Sequence, residues 1–130
     1  MPAVVEIERV SKVYTQSFRS ETVCALQEVS LQIPEAQIFA LLGLNGAGKS
    51  TLQKIILDLV RPTLGRVRVF GEPVRSGRWR HAVGYLPELF AAPKSATGFE
   101  ILRYLGEISG LRGPDLRARI DDVSTLVDLA

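Results

Sequence analysis

"LLGLNGAGKSTL", residues 41–52, decides how this chain is read. Within it, Gly43-Leu44-Asn45-Gly46-Ala47-Gly48-Lys49-Ser50 fits the pattern G-x-x-x-x-G-K-[ST]. Glycines let successive backbone N–H groups curve inward around an anion without Cβ clashes. A helix that follows aims its positive end at the same point. In such a loop Lys49 reaches the β- and γ-phosphates, and the Ser50 hydroxyl ligates Mg²⁺; Thr51 extends the set into the helix. The other reading of these glycines is a turn between a strand and a helix. The flanks favour the phosphate cradle.

On the N-terminal side, "IFALL" (38–42) is continuously apolar, the pattern of a strand covered on both faces in a parallel sheet. On the C-terminal side, "KSTLQKIILDLV" (49–60) sets Leu52, Ile55, Ile56 and Leu59 on one helical stripe, ended by Arg61 and Pro62. Earlier, "VVEIERV" (4–10) alternates at period two, and "TVCAL" (22–26) and "VSLQI" (29–33) follow as further strand segments. Later, "GRVRVF" (65–70) predicts a strand with Val67 and Val69 inward, and "AVGYL" (82–86) a short one stopped by Pro87. The last forty residues change character. "TGFE" (97–100) is a capping box that opens a helix carrying Phe99, Leu102, Leu105 and Ile108 on one side. "GPDLRARIDDVSTLVDLA" (113–130) begins a second helix at Pro114, with Leu116, Ile120, Val123 and Val127 as its apolar face and Asp121 and Asp122 on an exposed one.

The bulk numbers exclude several classes. At 130 residues the chain fits one domain, and a composition 46% hydrophobic and 23% charged is that of a globular protein. A net charge of +2 is too small to argue for nucleic acid. "RSGRWRHAVG" (75–84) gathers Arg75, Arg78, Arg80 and Trp79, but reads better as a solvated helix or loop than as a nucleic-acid patch. Cys24 is alone and is expected to be a small buried residue; His81 is alone and offers no zinc site. Glu6 and Glu8 stand where a signal peptide needs an apolar core, and no apolar run approaches the roughly 18 residues of a membrane span.

The wording of "LQEVSLQI" (26–33), of "IFALLGLNGAGKSTLQKIILDLV" (38–60) and of "RPTLGRVRVFGEPV" (61–74) resembles the opening half of the ATPase subunit of an ATP-binding cassette (ABC) transporter. The resemblance covers nearly the whole chain. It implies an α/β P-loop NTPase of ABC type, incomplete here: an N-terminal antiparallel β subdomain, the P-loop strand and helix, and the start of the helical subdomain. Residues 1–90 are expected to form the β subdomain and P-loop core, and residues 91–130 the start of the helical subdomain. The implied ligands are ATP and Mg²⁺. The implied partners are membrane-spanning transporter subunits and a second ATPase subunit, with a cytoplasmic position peripheral to the membrane and no nucleic acid.

The resemblance also assigns roles. Gly43, Asn45, Gly46, Ala47, Gly48, Lys49, Ser50 and Thr51 hold the phosphates. Tyr14, in "VSKVYTQ" (10–16), falls where the family places an aromatic that stacks on adenine. By itself it reads rather as a residue packing a strand end. Glu88, in "VGYLPELF" (83–90), falls at the Q-loop, where glutamine is commoner; it is a candidate Mg²⁺ and γ-phosphate sensor beside Lys49, or else a solvated loop acid. Ala36 stands where the family often has glycine, in a turn open to alanine. "GYLPE" (84–88) loosely resembles the branch that drives exporters.

Hydrolysis needs further groups: a second Mg²⁺-organising acid and a carboxylate that positions water. The family carries these on a Walker B strand, preceded by an LSGGQ-type signature and followed by a late histidine. None is found in these 130 residues. The chain alone is therefore expected to bind Mg-ATP weakly, to aggregate at open sheet edges, and to turn over little or no ATP. Two further readings stand beside the transporter subunit: an ABC-type ATPase not linked to transport, and a non-hydrolysing nucleotide-binding remnant.

Overall fold

In a computed structural model of the protein, residues 2–15, 22–89 and 92–128 are described. The chain divides into two units, Met1–Gly84 and Tyr85–Ala130. The boundary expected between residues 90 and 91 falls on residues outside the described set.

The first unit is built on a four-stranded antiparallel sheet of order β2-β1-β3-β4, with β1 (Ala3–Thr15), β2 (Thr22–Pro34), β3 (Leu64–Val69) and β4 (Glu72–Pro73). The period-two pattern fixes its faces. Ile7 lies opposite Val67, and Val5 opposite Val69, which turns one face into a packing surface. Glu8 lies opposite Arg66 on the other face, with Arg66 Nε 2.7 Å from Glu8 Oε2. The helix α1 (Lys49–Ile56) lays Leu52 and Ile55 on the apolar face, against Ile7, Val10, Leu26, Val67, Val69, Val74 and Trp79.

Beyond a register shift between Ala3 and Val5 at its start, three irregularities bend the long β1–β2 ribbon. Arg9 is an extra residue of β1, Glu28 an extra residue of β2, and Arg9 and Glu28 have φ of 43° and 46°. Gly65, at φ 83°, passes so close to Arg9 that a Cβ there would lie 2.3 Å from the Arg9 carbonyl oxygen, so only glycine fits. Nearer the ribbon's far end, Lys12 pairs with Leu26 while Val13 pairs with Cys24, which leaves Ala25 as the third extra residue. "TVCAL" and "VSLQI" are thus one bulged strand.

Helix α1 is shorter than the stripe predicts. It ends in a Schellman motif: Leu59 N–H donates to Lys54 O at 2.8 Å, Asp58 N–H to Ile55 O at 3.0 Å, and Asp58 takes φ 57°. Leu59 is therefore turned off the stripe and exposed. Trp79, expected in a solvated segment, is instead a core residue whose Nε1–H donates to Val74 O at 2.8 Å. Arg80 next to it pairs with Asp58 at 3.0 Å. Cys24, expected to be buried, is exposed, near the end of the ribbon where β1 leads into β2. Ala36 has φ 57°, so the turn does use the left-handed conformation that glycine favours.

The largest correction concerns the strand expected before the phosphate loop. Residues 37–44 form no strand, and Ile38, Leu42 and Leu44 are 103%, 88% and 85% exposed. "AVGYL" forms none either: Arg78–Ala82 is a 3₁₀ turn and residues 83–87 are irregular. Both segments have the composition of parallel strands, which need a paired neighbour and cover on both faces. Among the described residues no strand pairs with either.

The second unit contains α2 (Gly98–Ile108) and α3 (Gly113–Leu126). The capping box is formed: Glu100 N–H donates to Thr97 Oγ1 at 3.2 Å, and Thr97 N–H donates to Glu100 Oε2 at 2.7 Å. Pro114 sits in the first turn of α3. Leu116 and Ile120 are buried between the helices; Phe99, Leu105, Ile108 and Val127 of the predicted apolar faces are exposed. Gly106 gives the helices room, since a Cβ there would lie 2.3 Å from Leu116 Cδ1. The final two residues of the predicted second helix lie outside the described set.

Candidate functional site

The glycine-rich loop is held between the irregular segment 37–44 and helix α1. A turn closes it, with Ala47 N–H donating to Leu44 O at 3.1 Å. Gly46 and Gly48 take φ of 82° and 87°, the left-handed region that lets the backbone curl. Gly48 is irreplaceable for a second reason. A Cβ there would lie 2.3 Å from Ala25 O and 2.8 Å from Leu26 Cδ2. The bulged Ala25 thus aims its carbonyl at the point where loop becomes helix, seating the loop on the β1–β2 ribbon.

Gly48 is also the N-cap of α1, and it brings no side chain to satisfy the amides of the first turn. Those of Lys49, Ser50 and Thr51 have no intrahelical acceptor by geometry. No acidic residue stands in that turn to oppose an anion. Lys49 folds back over the loop, its Nζ donating to Gly43 O at 2.7 Å and Leu44 O at 2.8 Å. The ammonium thus closes the loop on itself. Phosphate oxygens are stronger acceptors for it than two carbonyls, so an incoming triphosphate can take over these bonds. Ser50 is exposed in the first turn, where its hydroxyl can face a phosphate-bound cation.

The chain offers Mg²⁺ little else in this unit. Among the described residues there is no group of three or more His, Cys, Asp or Glu side chains that could hold a metal ion. A hydroxyl suits Mg²⁺ only when substrate phosphates and water supply the remaining oxygens. The residues therefore fit a metal that arrives with the triphosphate, not a resident one.

Tyr14 belongs to the same unit. It pairs with Val23 on β2, two residues from the Ala25 carbonyl that meets Gly48. It is 38% exposed, and Lys12 Nζ lies 4.8 Å from its ring centroid. Sequence reading passed over Lys12, although its i, i+2 spacing from Tyr14 on a strand places both on one face. It also passed over Thr63. Val13 N–H donates to Thr63 Oγ1 at 3.0 Å, and Thr63 N–H to Ser11 O at 2.8 Å, so Thr63 prolongs β3 alongside the strand that carries Tyr14. Glu88 lies in the other unit, exposed on an irregular stretch, without a hydrogen bond or ion pair among the described residues. The loop residues and Tyr14 lie in the first unit, and Glu88 lies in the other.

Comparison with known proteins agrees with this loop, helix and sheet. The family model described as ABC transporter matches residues 26–129. The chain belongs to the ABC transporter family, as an ATP-binding cassette. It is 36% identical over 98% of its length to an uncharacterized ABC transporter ATP-binding protein of Synechocystis sp., covering 36% of that protein. It is 34% identical over 97% of its length to the methionine import ATP-binding protein MetN of Desulfitobacterium hafniense, covering 38% of that protein. Among solved structures, the dimeric post-hydrolysis state of the ATP-binding cassette MJ0796 bound to ADP and Pi superposes with a TM-score of 0.80 at 24% identity, over 97% of this chain and 58% of that one. The chain thus spans little more than a third of the length of the curated relatives it matches.

Proposed function

We propose that this chain forms the nucleotide-gripping part of an ABC transporter's ATP-binding subunit, taking Mg-ATP through Gly43, Asn45, Gly46, Ala47, Gly48, Lys49, Ser50 and Thr51. The observation that carries the reading is the start of α1: uncapped first-turn amides beside a lysine whose ammonium already spans the loop. Backbone amides and Lys49 grip the β- and γ-phosphates, Ser50 faces the accompanying Mg²⁺, and Tyr14 stacks on the base. Glu88 serves as the Q-loop group. Residues 1–90 act as the β subdomain and P-loop core, and residues 91–130 as the start of the helical subdomain.

In the assembled transporter, two such subunits sandwich a pair of ATP molecules and drive membrane-spanning partners from the cytoplasmic side. No helix among the described residues is long and apolar enough to cross a membrane, which leaves contact with the bilayer to those partners. The MetN name concerns import whereas "GYLPE" leans towards exporters, so the proposal carries no direction of transport.

A second part of the proposal concerns turnover. With "IFALL" outside any strand and, among the described residues, no cluster of acids, histidines or cysteines that could hold a metal ion, the 130-residue chain by itself binds Mg-ATP and hydrolyses little or none. Thermal unfolding with and without Mg-ATP tests the first part. At a concentration 100-fold above Kd, binding stabilises the folded state by about 2.7 kcal/mol, a gain that Lys49→Ala removes. An equal rise in both chains contradicts the phosphate-loop reading. Multiple-turnover hydrolysis that Lys49→Ala abolishes contradicts the second part.

A further inference from the structure

We propose that Lys12 is a positioning residue for the nucleobase: its ammonium covers one face of the Tyr14 ring, fixes the ring's orientation and leaves the opposite face for the base. The inference rests on the reading of Tyr14 as the base-stacking residue and deepens it. Lys12 Nζ lies 4.8 Å from the Tyr14 centroid, within the range of a cation–π contact. The pair sits at the end of β1, where Tyr14 is exposed and has only Thr15 between it and residues outside the described set. A ring on a strand end is free to turn unless something holds it.

Two sets of bonds hold the backbone beneath the pair. On one side, Lys12, Val13 and Tyr14 pair with Leu26, Cys24 and Val23 of β2. On the other, Thr63 accepts from Val13 N–H and donates to Ser11 O, bracketing Lys12. Buried Ser11 adds a bond to the bulge, accepting from Glu28 N–H at 2.9 Å. The backbone being fixed, the remaining freedom is that of the two side chains, and the cation–π contact removes it from both.

The charge has a direct consequence for stacking. A cation on one face draws π density toward itself and leaves the far face less negative, which favours an electron-rich purine there. Lys12 is half-buried, whereas the Lys49 ammonium is engaged with the loop. The two lysines thus divide the ligand: Lys49 takes the phosphates and Lys12 acts through Tyr14 on the base.

The test compares Mg-ATP with Mg-tripolyphosphate, which has the phosphates and no base, as ligands of the full 130-residue chain. Titrations are run on the unmutated chain and on Lys12→Ala, Lys12→Arg, Tyr14→Ala and the Lys12→Ala/Tyr14→Ala double variant. The expected result is that Lys12→Ala weakens Mg-ATP roughly two- to five-fold, the scale of one exposed cation–π contact. Tripolyphosphate binding stays unchanged, Lys12→Arg restores Mg-ATP affinity, and Lys12→Ala adds nothing once Tyr14 is gone. Equal weakening of both ligands, an equal loss in the Tyr14→Ala background, or no loss at all overturns the proposal.

The underlying reading fails differently: an unmutated chain that gains nothing from the base, with Tyr14→Ala silent, removes Tyr14 from the site and Lys12 with it. A ligand-free measurement covers the case of a poorly folded variant. The Lys12 Cε protons, lying over the ring in the unmutated chain, are expected upfield by ring current and return to their usual shift in Tyr14→Ala. Unshifted protons in the unmutated chain overturn the contact itself.

Discussion

Two stretches that each read as a strand meet opposite fates in this chain. "VEIERV" (5–10) enters the centre of a sheet, with Ile7 and Val10 buried. "IFALL" (38–42), more apolar still, lies outside any strand with Ile38 fully exposed. The difference is the kind of partner each one needs. Antiparallel neighbours come from nearby chain: β2 follows β1 directly, and β3 returns after a single helix. A buried parallel strand needs neighbours brought by crossovers and cover on both faces, and no strand among the described residues meets that need for residues 38–42. Hydrophobicity gives a segment the tendency to be buried; pairing decides whether it is.

The comparison breaks most readily at two isoleucines. Ile55 is fully buried between α1 and the sheet, whereas Ile38 is fully exposed. Ile55→Ala should cost about 2–5 kcal/mol, enough to remove most of a small unit's stability. Ile38→Ala should change it by less than about 0.5 kcal/mol. Chemical denaturation of both variants in this chain checks the contrast. A loss of stability at Ile38 comparable to that at Ile55 would show that "IFALL" is paired after all. The same substitution in a chain that supplies the missing neighbours should become costly, which sharpens the point.

Gly48→Ala comes next, because it tests the junction between the ordered ribbon and the loop. The left-handed conformation at φ 87° costs alanine about 1–2 kcal/mol. The new Cβ also meets Ala25 O, so either α1 or the bulge must move. The expected outcome is lost Mg-ATP protection in thermal unfolding together with a lower melting point of the unliganded chain. Retention of both would mean that Ala25 does not seat the loop.

Much of this was legible in the sequence, and the rest has physical reasons for being hidden. The phosphate loop, the capping box at Thr97 and Glu100, and the inward Val67 and Val69 are local patterns, read from residues a few positions apart. The end of α1 was misplaced because Arg61 and Pro62 are visible stops, while the Schellman turn at Asp58 is set by a backbone conformation no residue type announces. Trp79 was assigned to a solvated segment because the arginines around it dominate the local composition; only its place in the buried cluster that also holds Ile7, Leu26 and Ile55 makes it core. The bulge at Ala25 was invisible for the same reason, as was the seat it makes for Gly48. The strand assigned to "IFALL" failed because composition reports what a segment needs, not what the chain provides.

The smallest expected effect lies in the helical unit, where order depends on short-range bonds and not on a sheet. The Glu100 carboxyl is held below its ordinary value of 4.5, first by the hydrogen bond from the Thr97 backbone N–H, then by the Thr97 hydroxyl, with Arg103 adding a charge contribution. A carboxyl whose folded value is depressed contributes stability that is present above the unfolded value and is lost as pH falls through the folded one. The start of α2 should therefore fray as pH drops below about 4.5, and it should not respond between pH 6 and 8. Thr97→Ala should remove the cap at neutral pH, costing the helix about 1 kcal/mol, and should flatten the acid response because Glu100 has lost its partner. Amide exchange at the first turn of α2, followed against pH in both chains, checks this. An acid response of the same size in Thr97→Ala would place its origin outside the capping box, and the antiparallel unit, whose order depends on strand pairing, should show no change at its α1 amides over the same range.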